Sequence, residues 1–155
     1  MSIEKGTKIP DFSLTATSGT TITTASLAGR KAVIYFYPKD STPGCTLEGQ
    51  DFRDLHQAFE DSDTVIFGVS RDPLKSHENL KWKQSFPFEL ISDSEETLCQ
   101  IFDVIKMKNM YGKQVRGIER STFLIDRDGT LAHEWRKVTV KGHVLEVLEK
   151  AKALA

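Results

Sequence analysis

A central mixed β-sheet flanked by helices is the architecture this 155-residue sequence predicts, and three observations predict it. KAVIYFY (31–37) and DTVIFGVS (63–70) are apolar on both faces, as strands in the middle of a covered sheet are. Between and after them, apolar residues recur at helical spacing. Near the C-terminus two β-rich runs flank Asp128 and Gly129, a hairpin signal. That antiparallel close separates the chain from all-parallel doubly wound folds.

Each element follows in order. DFSLTATSG and TTITTASLAG flank a Ser-Gly turn and predict a short, threonine-rich N-terminal hairpin. After the first buried strand, Leu47, Phe52, Leu55 and Phe59 fall near one face of a helix. After the second, Asp72 suits an N-cap and Pro73 the first position of another helix. FELISDSEETLCQIF predicts a short strand and a short helix capped near Asp93 or Ser94. DVIKMKNMYGKQVRGIE has no clean period and reads mostly as loop, a solvated surface segment. The closing hairpin precedes a helix with Val144, Val147, Leu148, Ala151 and Leu154 on one face. Lys150 and Lys152 suit its C-terminal end. Trp82 and Trp135 read as packing anchors.

Composition narrows the function. With 39% apolar and 28% charged residues the chain is expected to fold, and its length suits one domain over 1–155. Lys and Arg number 21 against 22 Asp and Glu, so neither nucleic acid nor an anionic membrane is indicated as partner. No run approaches the roughly 20 apolar residues of a membrane span, and the start lacks a signal-peptide core. The expected location is the cytoplasm. Two cysteines are too few for a disulfide framework. His56, His77, His133 and His143 are scattered without metal-ligand spacing, SHENL is not a zinc-protease motif, and no glycine-rich nucleotide loop follows a strand. No metal or cofactor is expected.

The chemistry gathers in YPKDSTPGCTLEG, between the first buried strand and the helix after it. Pro43 and Gly44 set a turn that puts Cys45 in or near the first helical turn. Free amides and the positive end of the helix dipole favour a thiolate there. Thr42, three residues earlier, can offer a hydroxyl to an oxygen-bearing substrate. Pro38 is placed to press the loop over the pocket. A small apolar side chain at a helix start fits the same local pattern.

PKDSTPGC matches the P-x-x-x-T-x-x-C pattern of peroxiredoxins. With GVSRDPLKSHENL, DVIKMKNMYGKQVRGIERSTFLIDRDG and WRKVTVKGHV, the chain resembles the bacterioferritin-comigratory, or Q-type, subfamily over nearly its whole length. The resemblance implies a thioredoxin-like fold with an N-terminal hairpin. It implies a thiol peroxidase acting on hydrogen peroxide and organic hydroperoxides. Cys45 would be the peroxidatic cysteine, oxidised to a sulfenic acid. Pro38 would shield it, Thr42 would bond the peroxide, and Arg120 would be the active-site arginine. Glu48 would orient the arginine network.

The sequence departs from the subfamily in one respect. Its second, resolving cysteine commonly stands five residues after the first, here Gln50, or in a SHxNFC-like stretch, here Lys81. The other thiol, Cys99, reads as a core residue on a short helix. The expectation is a one-cysteine peroxidase, a monomer, whose sulfenic acid is reduced by an external thiol: thioredoxin, glutaredoxin with glutathione, or a small thiol. A thiol–disulfide oxidoreductase is disfavoured because no C-x-x-C pair exists. A redox sensor or holdase lacks support in any long apolar segment that would bind a partner.

Overall fold

The computed structural model describes residues 3–155. Its centre is a five-stranded sheet in the order β5-β4-β3-β8-β9. β3 (Lys31–Phe36) runs parallel to β4 (Thr64–Ser70), which runs parallel to β5 (Glu89–Ser92). β8 (Ser121–Ile125) pairs antiparallel with β3, and β9 (Leu131–Trp135) antiparallel with β8. The sheet is mixed, as expected, and the Gly129 turn between β8 and β9 has a positive φ of 83°. β1 (Ser13–Thr15) and β2 (Thr21–Thr23) form the N-terminal hairpin, followed by a 3-10 turn, Thr24–Leu27.

All six residues of β3 are buried, and their alternation divides the core. Ala32, Ile34 and Phe36 face one cluster, which holds Phe123, Phe102 and Cys99. Val33, Tyr35 and Tyr37 face the other, which holds Cys45, Phe52 and Phe59. The N-terminal segment and α4 (Thr97–Ile101) supply the first cluster. α1 (Pro43–Asp54), α2 (His56–Asp61) and α5 (His143–Ala153) supply the second, with Leu80 of α3 (Leu74–Gln84). Val144, Val147, Leu148 and Ala151 are the buried apolar stripe of α5, as their spacing predicts. Lys31 fixes the end of this helix: its ammonium donates to the carbonyls of Ala151 (2.6 Å) and Leu154 (2.8 Å).

Four expectations are corrected. The helix starts at Pro43 with Cys45 in its first turn, as expected, but the stripe from Leu47 to Phe59 is not one helix: it breaks at Leu55 into α1 and α2, and Leu47 is 48% exposed rather than packed. Asp72 caps nothing: Pro73 is the N-cap of α3, and the Asp72 carboxylate turns back to the loop after β3. Trp82 is 86% exposed and anchors no core, whereas Trp135 packs edge-on against His143. The segment read as loop is a second hairpin, β6 (Ile105–Met110) and β7 (Lys113–Ile118). Its turn is Tyr111-Gly112, both at positive φ, 52° and 78°, the twist a two-residue hairpin needs. Both faces carry charge or lie half exposed, so no alternation marked it as strand.

Candidate active site

The chain leaves β3 at Phe36 and enters α1 at Pro43, and the sequence between them sets a narrow geometry. Thr42 is the N-cap in an extended conformation, and proline at the first helical position has the φ a helix start requires. Cys45 follows as the third residue of α1, 6% exposed, among first-turn amides that have no intrahelical partner.

The loop is held from beneath by buried polar contacts. Asp40 accepts the Tyr37 hydroxyl at 2.6 Å and the Ser76 hydroxyl at 2.7 Å. His77 Nδ1 lies 2.7 Å from the same carboxylate, and its Nε2 is 3.0 Å from the Ile91 carbonyl oxygen. A carbonyl only accepts, so the Nε2 contact is one in which the ring donates. Burial works against the Asp40 charge, but the contacts from His77, Tyr37 and Ser76 hold its carboxyl below the usual range. The Asp40 amide donates to Asp72 (2.9 Å), which also accepts the Ser70 hydroxyl (2.6 Å). Nothing in the sequence singles out Asp40, Asp72 and His77 for this role, because polar side chains give no period that separates buried from solvated ones.

From 75 positions along the chain, Arg120 arrives just before β8 and spans two groups of α1. Its Nη2 donates to Cys45 Sγ at 3.3 Å and its Nη1 to Glu48 Oε1 at 2.7 Å. Glu48, one turn beyond Cys45, is fully buried. Burial pushes its carboxyl up to about 7, against the pull of the guanidinium. Its Oε2 has no hydrogen-bond partner among the described residues. Gly44 makes the approach possible, since a β-carbon there would stand 3.3 Å from Arg120 Nη2.

Thr42 donates its hydroxyl hydrogen to the Lys39 carbonyl (2.9 Å), which leaves the oxygen to act as an acceptor. Pro38 lies half-buried in the loop, beside a shallow depression it shares with Arg71, Asp72 and Glu96. Cys45, Glu48 and Arg120 are thus in direct contact, and Thr42 and Pro38 lie on the segment leading to them.

Cys99 lies elsewhere. It is fully buried in the cluster on the opposite face of the sheet, and both cysteines are free. Burial and the neighbouring Asp93 carboxylate push its thiol well above the ordinary range. Asp93 caps the start of α4 by accepting from the Leu98 (3.1 Å) and Cys99 (2.8 Å) amides. Lys81 donates to the Phe86 and Phe88 carbonyls, both at 2.9 Å, and so closes the turn after α3. Gln50 donates to the Gln84 side chain at 2.9 Å, linking α1 to α3.

Comparison with known proteins shows what the whole chain is similar to. Residues 5–134 match the AhpC/TSA family. The chain is 56% identical over 145 residues to Peroxiredoxin Bcp of Xanthomonas campestris, covering 94% of this chain and 91% of the relative. It is 50% identical over 155 residues to Peroxiredoxin Bcp of Bacillus subtilis, covering 100% and 99%. A mutant of Xylella fastidiosa PrxQ superposes with a TM-score of 0.93 at 43% identity, covering 99% of this chain and 98% of that one. A structure described under the alkyl peroxide reduction activity of the X. campestris bacterioferritin comigratory protein superposes with a TM-score of 0.88 at 55% identity, covering 92% and 90%.

Proposed function

Because the chain belongs to the AhpC/TSA family and is a thiol-dependent peroxidase of the Bcp kind, we propose that Cys45 is its peroxidatic residue and that Arg120, Thr42 and Pro38 complete the peroxide pocket. The observation that carries the assignment is the Arg120 fork, with one nitrogen on the Cys45 sulfur. Guanidinium remains charged at any working pH and presents its donors in a fixed plane. It favours the thiolate over the thiol and stands ready for the charge that moves onto the leaving oxygen.

The thiolate attacks one peroxide oxygen in line with the O–O bond. The S–O bond forms, the O–O bond breaks, and the leaving oxygen departs as water or an alcohol once protonated. Thr42 Oγ1 and the first-turn amides of α1 hold the peroxide along that line. The product is a sulfenic acid on Cys45. Hydrogen peroxide and organic hydroperoxides both fit; the X. campestris relative is described by its alkyl peroxide reduction activity.

The same reading assigns a one-cysteine cycle, in which an external thiol attacks the sulfenic acid: thioredoxin, glutaredoxin with glutathione, or a small thiol. Three features support it. The positions where the subfamily carries a resolving cysteine hold Gln50 and Lys81, and both side chains are engaged in structural bonds. Cys99 packs in the other core. The enzyme then acts as a monomer in the cytoplasm, the compartment where reduced thiols are abundant.

A peroxide-consumption assay with dithiothreitol tests the assignment. The wild type turns over and Cys45→Ser does not; equal activity would defeat it. Mass spectrometry after one equivalent of peroxide tests the cycle. A stoichiometric Cys45–Cys99 disulfide would defeat the one-cysteine reading while leaving the peroxidatic one intact.

A further inference from the structure

Arg120 is one cation shared by two acids. Its fork touches Cys45 Sγ with one nitrogen and Glu48 Oε1 with the other. Glu48 is fully buried, and its second oxygen meets no donor among the described residues. A carboxylate in that position leaves a charged oxygen without hydrogen bonds, an expensive arrangement. A carboxyl group with its proton on Oε2 still accepts the Arg120 bond on Oε1 and carries no charge. The neighbours that face the cluster do not upset this count. Asp51 on α1 faces Glu48, and Lys108 on β6 faces Cys45 and Arg120, one charge of each sign. Tyr35 on β3 faces Glu48 and Cys45, and burial keeps its phenol protonated. His143 on α5 faces Arg120, and burial holds it neutral at ordinary pH.

We propose that Glu48 stores the proton displaced from the Cys45 thiol and gives it up when the sulfur is oxidised, so that the Glu48–Arg120–Cys45 cluster stays electroneutral throughout the peroxide step. Before reaction the charges are neutral Glu48, cationic Arg120 and anionic Cys45. Sulfur donates an electron pair to the peroxide oxygen, the S–O bond forms and the O–O bond breaks. Sulfur is oxidised to a neutral sulfenic acid. The leaving oxygen is reduced and ends as water or an alcohol with one proton gained, and Glu48 gives up one proton in the same step, so the proton count of protein plus peroxide is unchanged. Afterwards the charges are anionic Glu48, cationic Arg120 and neutral sulfenic acid. The guanidinium has exchanged one anion for the other and the sum is unchanged. Glu48 touches Arg120 rather than substrate, so its effect reaches the sulfur through that shared cation.

The inference rests on the reading of Cys45 as the attacking thiolate, and a proton count separates the two. Wild type and Glu48→Gln, which keeps an oxygen to accept the Arg120 bond but stores no proton, are mixed with one equivalent of hydrogen peroxide in weak buffer at neutral pH. A pH indicator follows protons, ultraviolet thiolate absorbance follows Cys45, and mass spectrometry counts sulfenic acid. The expected wild-type result is a thiolate before reaction and clearly fewer protons taken from solvent per sulfenic acid than the variant takes. Glu48→Gln takes up nearly one, and its oxidation is slower by about 10- to 100-fold. The wild-type rate falls on the alkaline side as Glu48 loses its proton, and the variant lacks that fall. A wild type that takes up one proton, or the same proton count in both proteins, overturns the inference alone. Absence of sulfenic acid at Cys45 overturns both readings. Infrared difference spectra of the wild type alone give a check that needs no variant: oxidation must erase one protonated-carboxyl band, and its persistence is disproof.

Discussion

Arg120 acts through geometry as much as charge. Its two bonds to α1 use two nitrogens held in one plane, whereas an ammonium presents all three of its donors from one nitrogen. Arg120→Lys is therefore expected to slow Cys45 oxidation by about 10²-fold, in the range of losing one preorganised donor. Stopped-flow oxidation rates check this, and a rate within twofold of wild type would rule the fork out as the reason for arginine. How legible these residues were depended on distance along the chain. Cys45, Thr42 and Pro38 lie within eight residues, and Pro43 with Gly44 announces the turn that groups them. Arg120 has no local signal, because an arginine beside a strand start is usually solvated; only the resemblance across GIERSTFLID singled it out. Glu48 looked like an acid that merely suits a first helical turn, and its burial follows from tertiary packing.

At the scale of elements, the β6–β7 hairpin stands outside the main sheet and is joined to the body by a small ionic clamp. Glu96, the N-cap of α4, takes both outer nitrogens of Arg116 on β7 and one nitrogen of Arg71 after β4. The bonds from Arg116 lead the causes that pull its carboxyl down to about 2. Replacing Glu96 by Gln removes the charge that both arginines share. Amide exchange across residues 105–118 is then expected to quicken about tenfold while the five-stranded sheet keeps its protection; unchanged exchange would mean the clamp is incidental. The hairpin escaped the sequence reading because a two-sided polar strand has no period-2 pattern and Tyr-Gly is not among the strongest turn pairs. The break at Leu55 escaped it for a related reason: Phe52 and Phe59 both reach the core, so one apolar stripe described two helices as well as one.

For the molecule as a whole, the wholly apolar strands made the mixed sheet readable, since few arrangements bury such runs on both faces. The polar groups that tie its layers together were not readable. His143 is one: its Nε2 lies 2.8 Å from the Thr122 hydroxyl, and burial lowers it from 6.5 to about 4. A folded value below the unfolded one means the neutral ring's contribution is whole above pH 6.5 and is lost as pH falls through about 4. The loss is on the order of 3 kcal/mol. Urea unfolding at pH 7 and pH 4 should therefore show a smaller acid loss for His143→Gln than for wild type, and parallel losses would refute the assignment.

The division of the core by β3 has a consequence for measuring the protein's own opening. In Cys45→Ser the sole sulfhydryl is Cys99, enclosed on the far side of the sheet. A small alkylating reagent can reach it only while α4 and the N-terminal segment part from the sheet. Its labelling rate, divided by that of an unfolded reference, then reads the free energy of that excursion directly. Such labelling should be slower than in denaturant by several orders of magnitude, and urea should steepen it. A rate near the unfolded one would mean that this half of the interior breathes freely. The second cysteine is a built-in gauge of how often the fold lets go.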